Sequence, residues 1–428
     1  MAFNNDPAKH AVTGMSIGEE MASFTQQNPR ETGSERESPG KPRAAWLAYG
    51  YNMETTFDIP PSILFGAGSR FRLSQELRKL DVSRVLLVTD QRLRDTETIG
   101  SLCAQLKGHG IEASIFSEVQ PDPTDQNVLA GLASLRGCEA DAIVAVGGGS
   151  VMDAAKIIGV AATNSESLHG FQGYHRIPKL GLPLVAVPTT AGTGSEATKV
   201  AVITDTERQV KMMIFDPKIL PRVAIVDYEL SMTMPAALTA YVGVDTLVHG
   251  IEAYVSKKAN GMTNPLALSC IQLTARYLRT AQQEPNNREA RESMSLAACH
   301  GGMAFSNSSV CLVHGMSRPI GAVFHLPHGL SNAVLLPAVT RFSIAGAPER
   351  YSRISQEMNW REGLVDGLER LNEELGIPKL RDALGIERSA FELHLKKMAE
   401  DALASGSPQN NPVIPSAEEI VDLYRSAW

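Results

Sequence analysis

The stretch "DAIVAVGGGSVMDAAK", residues 141–156, predicts a buried strand that passes through a glycine-rich turn into a helix. Its first part is a short apolar run, as in the strands of a parallel sheet that helices cover on both faces. Three glycines follow, and we expect the helix to begin at Ser150. Glycine lets the backbone approach a ligand closely, and the N-terminus of a helix offers free N–H groups to a phosphate. A tight connection that binds nothing is the alternative interpretation of a single turn of this kind.

Similar strands lie on both sides of this stretch and alternate with helical segments. They are "SRVLLVTD" (83–90), "EASIFSEV" (112–119) and "PLVAVPTT" (183–190). The alternation predicts a doubly wound α/β domain with a parallel sheet. A second glycine-rich turn, "TTAGTGSE" (189–196), also follows a strand. The strict GxGxxG pattern is absent, but two such turns at the carboxyl ends of parallel strands indicate a dinucleotide-binding domain.

Asp90 is the last residue of the strand "SRVLLVTD". An acid at this point can accept hydrogen bonds from a ribose diol and repels the 2′-phosphate of NADP. The residue therefore favours NAD(H) over NADP as the cofactor. The alternative is a cap, in which Asp90 accepts hydrogen bonds from the backbone of the "QRLRD" segment that follows.

The composition argues against several classes of partner. The chain has 428 residues, of which 43% are hydrophobic, and a net charge of −7. No basic block suggests nucleic acid, and no run approaches the roughly 18 apolar residues of a membrane span. The five cysteines form no CxxC pair, which favours reduced thiols and a cytoplasmic protein. Residues 1–52 are polar, without the apolar region of a secretory signal, and predict a disordered extension.

From Pro235 onward the sequence predicts an all-helical second domain. Its long helical segments include "ALTAYVGVDTLVHGIEAYVS" and "ARESMSLAACHGGMAFSNSSVCLVHGMS", residues 290–317, which we expect to form one helix. We expect the helix to be broken after that segment, because the next residues include Pro319, Gly321, Pro327 and Gly329. The predicted organisation is an extension (1–52), an α/β dinucleotide-binding domain (53–233) and an all-α domain (234–428).

Five of the ten histidines lie between residues 249 and 328, in the helical half. Asp245 and His249 are four residues apart and project from one helical face. With His314 and His328 they form one carboxylate and three imidazoles, from two helices and a following loop. This set suits Fe²⁺, or alternatively Zn²⁺. The alternative is a hydrogen-bonded Asp–His pair in the core, with His325 and His328 as ordinary loop residues.

Four motifs together resemble the iron-containing (group III) alcohol dehydrogenases. They are "GGGSVMDAAK", "PTTAGTGSEAT", "LTAYVGVDTLVHGIEAY" and "HGMSRPIGAVFHLPHGLSNA", and the resemblance extends from about Phe57 to the C-terminus. It implies the dehydroquinate synthase-like fold of that family, with a metal in the cleft between the two domains. It also implies reversible hydride transfer between NAD(H) and an alcohol or aldehyde, and a homo-oligomer, dimer or larger.

The resemblance also assigns the site residues. The implied metal ligands are Asp245, His249, His314 and His328. The implied cofactor contacts are Asp90, Gly147, Gly148, Gly149, Ser150, Asp153, Thr189, Thr190, Thr193 and Lys211. Phe305 and Phe324 are expected to line the cleft, although either is equally suited to the core.

Arg318 departs from the family, which often has a histidine four residues after the third metal ligand. Arginine does not act as a base at neutral pH, but it can hold an anionic group of a substrate, such as a carboxylate or phosphonate. The alternative is a structural arginine, with His325 or a water relay moving protons. Ser309 and Cys311 replace glycines common in the family, which indicates altered helix packing.

Other activities of the same fold are also considered. A maleylacetate-reductase-like enzyme without a metal fits less well, because the Asp/His/His/His set is complete. A dehydroquinate-synthase-like lyase is disfavoured by the segment "HGMSRPIG". Nothing in the sequence favours a non-catalytic protein that binds NAD or metal.

Overall fold

The computed structural model describes residues 54–208 and 210–428. The predicted extension, residues 1–52, lies outside the described residues. The strands of the described residues are β1 (Ser62–Phe65), β2 (Arg84–Asp90), β3 (Glu112–Val119), β4 (Ala142–Gly147), β5 (Gly173–Tyr174), β6 (Leu184–Pro188), β7 (Val200–Asp205), β8 (Val210–Phe215) and β9 (Val223–Val226). The helices of the first half are α1 (Leu73–Arg78), α2 (Glu97–Gly108), α3 (Asp125–Gly137) and α4 (Gly149–Ala161).

Six strands form a parallel sheet in the order β1-β9-β6-β4-β2-β3. The chain runs outward from β2 to β3 and then returns to the other side of β2 with β4, so the winding direction reverses between β2 and β4. Ligands of open α/β sheets bind at the carboxyl ends of the strands beside such a switch point. The Asp90 end of β2 and the glycines after β4 lie at this position.

Alternate residues of β2 are buried on opposite faces of the sheet. Leu86 and Val88 join a core cluster with residues of α3 and α4, whereas Val85 and Leu87 join another with residues of α1 and α2. The sheet is therefore covered by helices on both faces, and the prediction of a doubly wound α/β region is confirmed.

A second sheet of three strands, in the order β5-β8-β7, was not predicted from the sequence. Its main part is the antiparallel pair β7–β8, in which Ala201 faces Ile214. Residues of β7 alternate between buried and half-buried, a pattern typical of a sheet with one covered face. The expectation of a purely parallel first half was therefore incomplete.

The second half is helical within the described residues. Its helices are α5 (Ala236–Val255), α6 (Thr263–Gln283), α7 (Arg288–Ser308), α8 (Leu312–Phe324), α9 (His328–Ser343), α10 (Pro348–Met358), α11 (Leu364–Glu374), α12 (Leu380–Leu384), α13 (Arg388–Glu392), α14 (Leu395–Ala404) and α15 (Ala417–Ala427). None of the helices described has the length and apolar character required to cross a bilayer. The domain boundary after residue 233 stays a prediction; it falls between β9 and α5.

The prediction of one helix over residues 290–317 is wrong. Helix α7 ends at Ser308 and α8 begins at Leu312, because Ser309 adopts a positive φ of 133° that an α-helix does not accommodate. The predicted helix breaks at Pro319 and Gly321 are also wrong, since both residues lie inside α8. His314 consequently stands in the first turn of a separate helix.

The two halves of the described chain meet closely at Gly194 and Gly302. A Cβ on Gly302, which lies in α7, would be 2.4 Å from the backbone oxygen of Gly194. We expect Gly302→Ala to lower the free energy of unfolding by about 1–3 kcal/mol, the usual cost of overpacking. Urea unfolding followed by circular dichroism measures the change.

Gly100→Ala is the matched control, because a Cβ on this exposed glycine of α2 would have no neighbour within 4 Å. Alanine at an exposed helical position raises the free energy of unfolding by up to about 1 kcal/mol. Equal stabilisation by Gly302→Ala and Gly100→Ala would contradict the close approach.

Candidate active site

Four side chains with metal-ligating atoms converge in the helical half. Asp245 and His249 project from α5, His314 from the first turn of α8, and His328 is the first residue of α9. Asp245 Oδ1 lies 3.9 Å from His249 Nε2, 3.6 Å from His314 Nε2 and 3.9 Å from His328 Nε2. The structure thus brings together the four predicted ligands, but from three helices rather than from two helices and a loop.

The ligand atoms of Asp245, His249 and His314 all lie within 4.8 Å of one another and fit a single divalent ion, whereas His328 lies at the edge of this group, near Asp245. Two ligand atoms at about 2.1 Å from one tetrahedral ion lie about 3.4 Å apart, and the Nε2 atoms of His249 and His314 are 3.1 Å apart. Asp245, His249 and His314 are buried. The side chain of His328 is 41% exposed, which leaves one side of the cluster open.

The electrostatics around Asp245 and His249 favour the protonation states that bind metals, whereas Glu252 and Asp245 outweigh burial at His314 and raise its pKa. Burial lowers the pKa of His249 to about 3, so its imidazole is neutral at neutral pH. Burial alone would raise the pKa of Asp245, but the adjacent His249, His314 and His328 outweigh it and lower the pKa below its usual range. Neutral imidazole and ionised carboxylate are the forms that coordinate a metal ion.

Two further residues contact the ligands and were missed by the sequence analysis. The Asn332 side-chain nitrogen donates a hydrogen bond to Asp245 Oδ1 at 2.6 Å. Glu252 Oε2 lies 2.7 Å from His314 Nδ1. Their spacing was the available signal, since Asn332 follows His328 by four residues and Glu252 follows His249 by three, so each lies one helical turn from a ligand.

The two glycine-rich turns lie side by side at the carboxyl edge of the sheet. The Thr189 N–H donates to the Gly147 carbonyl at 3.0 Å, and β4 pairs with β6 through Gly147 and Pro188. Helix α4 begins at Gly149, one residue earlier than predicted. A Cβ on Gly149 would lie 2.7 Å from the Thr193 side chain, and one on Gly148 would lie 3.4 Å from that of Thr190.

A buried lysine joins these turns. Lys156 Nζ donates to Ser195 Oγ at 2.8 Å, to Thr198 Oγ1 at 2.9 Å and to the Val200 carbonyl at 2.8 Å. Asp153 accepts hydrogen bonds from Ser195 Oγ and from the Val202 N–H. Asp153 therefore fixes the second turn against α4. Lys156 is within the motif "GGGSVMDAAK", but the sequence analysis gave it no role.

Asp90 and Lys211 lie outside the two glycine-rich turns, at the end of β2 and on β8. Asp90 Oδ1 accepts hydrogen bonds from the N–H groups of Arg92 at 2.8 Å and Leu93 at 3.1 Å, as the capping alternative predicts. Both bonds end on the same oxygen, so capping and ribose binding are compatible. Lys211, on β8, is 3.0 Å from Asp122 Oδ1.

A cleft of about 610 Å³ joins the glycine-rich turns to the histidine cluster. Its lining includes Gly149, Ser150, Asp153, Thr193, Lys211, Asp245, His249, His314, Arg318 and His328. Phe305 also lines it and stacks on His249, with ring centroids 4.3 Å apart. Phe324 is not part of this lining and packs on Phe391 in the core, with ring centroids 6.0 Å apart, as the alternative for this residue predicts. A dinucleotide on the turns and a metal on the histidines would share one cavity.

Comparison with known proteins identifies the family of this fold and site. Residues 60–228 match the family described as iron-containing alcohol dehydrogenase, and residues 239–428 match its C-terminal region. The chain belongs to the iron-containing alcohol dehydrogenase family. It is therefore an oxidoreductase that interconverts alcohols with aldehydes, and its family is described as iron-containing.

Relatives of this iron-containing alcohol dehydrogenase are similar over most of their length. The NAD-dependent methanol dehydrogenase of Bacillus methanolicus is 37% identical over 383 residues, which cover 87% of this chain and 100% of the relative. The 1,3-propanediol dehydrogenase of Klebsiella pneumoniae is 39% identical, with 86% and 98% covered.

Solved structures show the same similarity. A 1,3-propanediol oxidoreductase has a TM-score of 0.85 and 38% identity, with 88% of this chain and 100% of that chain covered. The sulfoacetaldehyde reductase of Bifidobacterium kashiwanohense in complex with NAD⁺ has a TM-score of 0.80 and 27% identity, with 88% and 99% covered.

Proposed function

We propose that this chain reduces a small aldehyde, or oxidises the corresponding alcohol, with NAD(H) and with Fe²⁺ bound by Asp245, His249, His314 and His328. The observation that carries the proposal is the shared cleft, in which the four donor side chains face the same cavity as Gly149 and Thr193. The donor set suits both Fe²⁺ and Zn²⁺. The family favours iron, and zinc is the alternative.

The chain's own residues contribute position and charge. When bound, the metal would polarise the substrate oxygen and the dinucleotide would carry the hydride. The turns at Gly147–Gly149 and Thr189–Thr193 would bind the dinucleotide, with free N–H groups of α4 facing its phosphates. Asp90 would receive the adenosine ribose, which favours NAD over NADP. Phe305, which stacks on His249, would limit the access of water to the reacting atoms.

A substrate screen tests this function. The full chain, loaded separately with Fe²⁺ and Zn²⁺, is assayed for oxidation of NADH and of NADPH with a panel of aldehydes and ketones. We expect turnover with NADH that requires a metal and is fastest with Fe²⁺. Turnover that survives complete removal of the metal would contradict the proposal.

Arg318 supports a finer proposal, that the substrate carries an anionic group. Its side chain lines the cleft one turn after His314 on α8, and its Nη1 donates to Ser407 Oγ at 2.8 Å. Burial lowers the pKa of Arg318 to about 10, so it remains charged at neutral pH. It forms no salt bridge within the described part of the chain, and the charge of Glu252 acts on it only from a longer distance. A carboxylate, phosphonate or sulfonate on the substrate would provide Arg318 with a directly bonded negative partner.

Two observations bear on the choice between an anionic and a neutral substrate. The sulfoacetaldehyde reductase that resembles this chain acts, by its name, on an aldehyde with a sulfonate group. His325, the alternative proton carrier, ends α8 with a positive φ of 55°, is exposed, and is outside the lining of the cleft. The first favours an anion-binding Arg318, although the more similar methanol and 1,3-propanediol dehydrogenases act, by their names, on neutral alcohols. The second disfavours His325 as the proton carrier.

We expect Arg318→Ala to lower kcat/KM for an anionic aldehyde by about 10- to 100-fold, because a hydrogen bond to a charged group contributes about 1.5–3 kcal/mol. The value for a neutral aldehyde of the same length should change little. Steady-state kinetics on the matched pair measure the difference. Ser407→Ala, which removes the hydrogen-bond partner that Arg318 has within the described residues and keeps the charge, is the control. Equal losses on both aldehydes would contradict an anion site.

The assembly and location of the protein are also proposals. We propose a homodimer or larger homo-oligomer in the cytoplasm, on the basis of the family and of the free cysteines within the described residues. Light scattering on the full chain tests the first, and cell fractionation tests the second.

A further inference from the structure

We propose that Glu252 is a positioning residue that fixes the tautomer and orientation of His314 for metal binding. The inference rests on the proposed function, because it concerns the metal that the histidine cluster would hold. Glu252 is buried on α5, seven residues after Asp245 and three after His249. The three residues therefore lie along one face of the same helix.

The contacts of Glu252 end on a different helix. Oε2 accepts a hydrogen bond from the Cys311 N–H at 2.8 Å and lies 2.7 Å from His314 Nδ1. Oε1 accepts a hydrogen bond from the Val313 N–H at 2.6 Å. One carboxylate thus binds two backbone N–H groups at the start of α8 and the imidazole one residue further on.

The carboxylate determines which nitrogen of His314 carries the proton. An ionised carboxylate only accepts hydrogen bonds, so the proton of a neutral His314 must be on Nδ1. Nε2 then keeps its lone pair, and this atom lies 3.6 Å from Asp245 Oδ1 and 3.1 Å from His249 Nε2. The tautomer held by Glu252 is therefore the one whose free nitrogen faces the other ligands.

Glu252 also holds the start of α8 in place after the break in helical structure between α7 and α8. Residues 309–311 leave the first N–H groups of α8 without helical partners. Because Glu252 belongs to the helix of Asp245 and His249, its bonds to Cys311 and Val313 tie the third ligand's helix to that of the first two. Glutamine cannot replace it fully, since its –NH₂ group would face either the Val313 N–H or His314 Nδ1.

The test compares Glu252→Gln with the unchanged full chain by competition for Zn²⁺ against a chromophoric chelator. We expect the affinity for Zn²⁺ to fall by about 10- to 100-fold, the usual effect of removing a residue that orients a metal ligand. Glu76→Gln is the matched control, because Glu76 is equally buried but pairs with Lys79 on α1. Unchanged Zn²⁺ affinity in folded Glu252→Gln would overturn the proposal.

A second measurement separates positioning from simple capping of α8, and it does not use the Glu252→Gln variant. In the ¹⁵N-histidine-labelled, Zn²⁺-loaded chain, with His314 assigned through His314→Gln, we expect the NMR shifts of an Nδ1-protonated, Nε2-coordinated ring. Coordination through Nδ1 would overturn the proposal. Because neither readout depends on turnover, a chain that binds Zn²⁺ as expected but reduces no aldehyde would contradict the proposed function and leave the role of Glu252 supported.

Discussion

His249→Ala should release the metal and abolish most of the turnover. The substitution removes one of four converging donors, the His249 Nε2 that lies 3.9 Å from Asp245 Oδ1 and 3.1 Å from His314 Nε2. A Lewis acid contributes several kcal/mol to stabilising charge in the transition state, so we expect kcat/KM to fall by roughly 1000-fold or more. Asp245→Ala should have the same effect. Elemental analysis of the purified variants measures the metal, and NADH oxidation measures the turnover.

His300→Ala is the matched control for this prediction. His300 also lies among the clustered histidines of the helical half, but its Nδ1 is 2.9 Å from Ser269 Oγ and it does not contact the ligands in the described residues. We expect His300→Ala to keep its metal and its activity. If His249→Ala retained stoichiometric metal, the Asp245–His249 pair would be a hydrogen-bonded pair of the core.

The strands of the main sheet were predictable because each is a short run with its own signal. The strand predicted at residues 112–119 matches β3 to the residue, and the one predicted at residues 83–90 differs from β2 by one residue. The central strands β2, β4 and β6 are apolar runs buried on both faces, which leaves few other conformations for them. The grouping of Asp245 with His249 was predictable for a similar reason, since positions four apart on a helix lie on one face.

The remaining features depend on contacts distant in sequence. The end of α7 at Ser308 follows from the positive φ of Ser309, and the apolar pattern continues through it. Pro319 is accommodated inside α8, most of whose residues are buried, so tertiary packing outweighs the local preference. Glu252 looks like an ordinary helical residue until α8 is placed beside α5, and its contact with His314 spans 62 residues of sequence.

Gly148→Asp should weaken dinucleotide binding while leaving the fold intact. Gly148 is the N-cap residue of α4, with φ −83° and ψ −170°, a conformation that any residue adopts. Aspartate is a favoured N-cap residue, so α4 should be as stable as before or more so. Its carboxylate, however, would occupy the N–H groups that we assign to the pyrophosphate and would repel that group. We expect the Kd for NADH to rise by roughly 10- to 100-fold, measured by fluorescence titration.

Gly148→Ala tests whether the loss of NADH affinity expected for Gly148→Asp comes from the negative charge of aspartate or from the size of its side chain. A Cβ at this position would lie 3.4 Å from the Thr190 side chain, a tight contact that a small shift of that side chain relieves. Alanine should therefore change the Kd for NADH much less than aspartate does. High salt should reduce the difference in Kd between the two variants, because it screens the repulsion between the introduced carboxylate and the pyrophosphate. Thermal unfolding and metal content should stay near those of the unchanged chain in both variants, because Gly148 makes no contact with the histidine cluster. Equal affinity for NADH in the aspartate variant and the unchanged chain would mean that the pyrophosphate lies elsewhere and that the turn after β4 is only a tight connection.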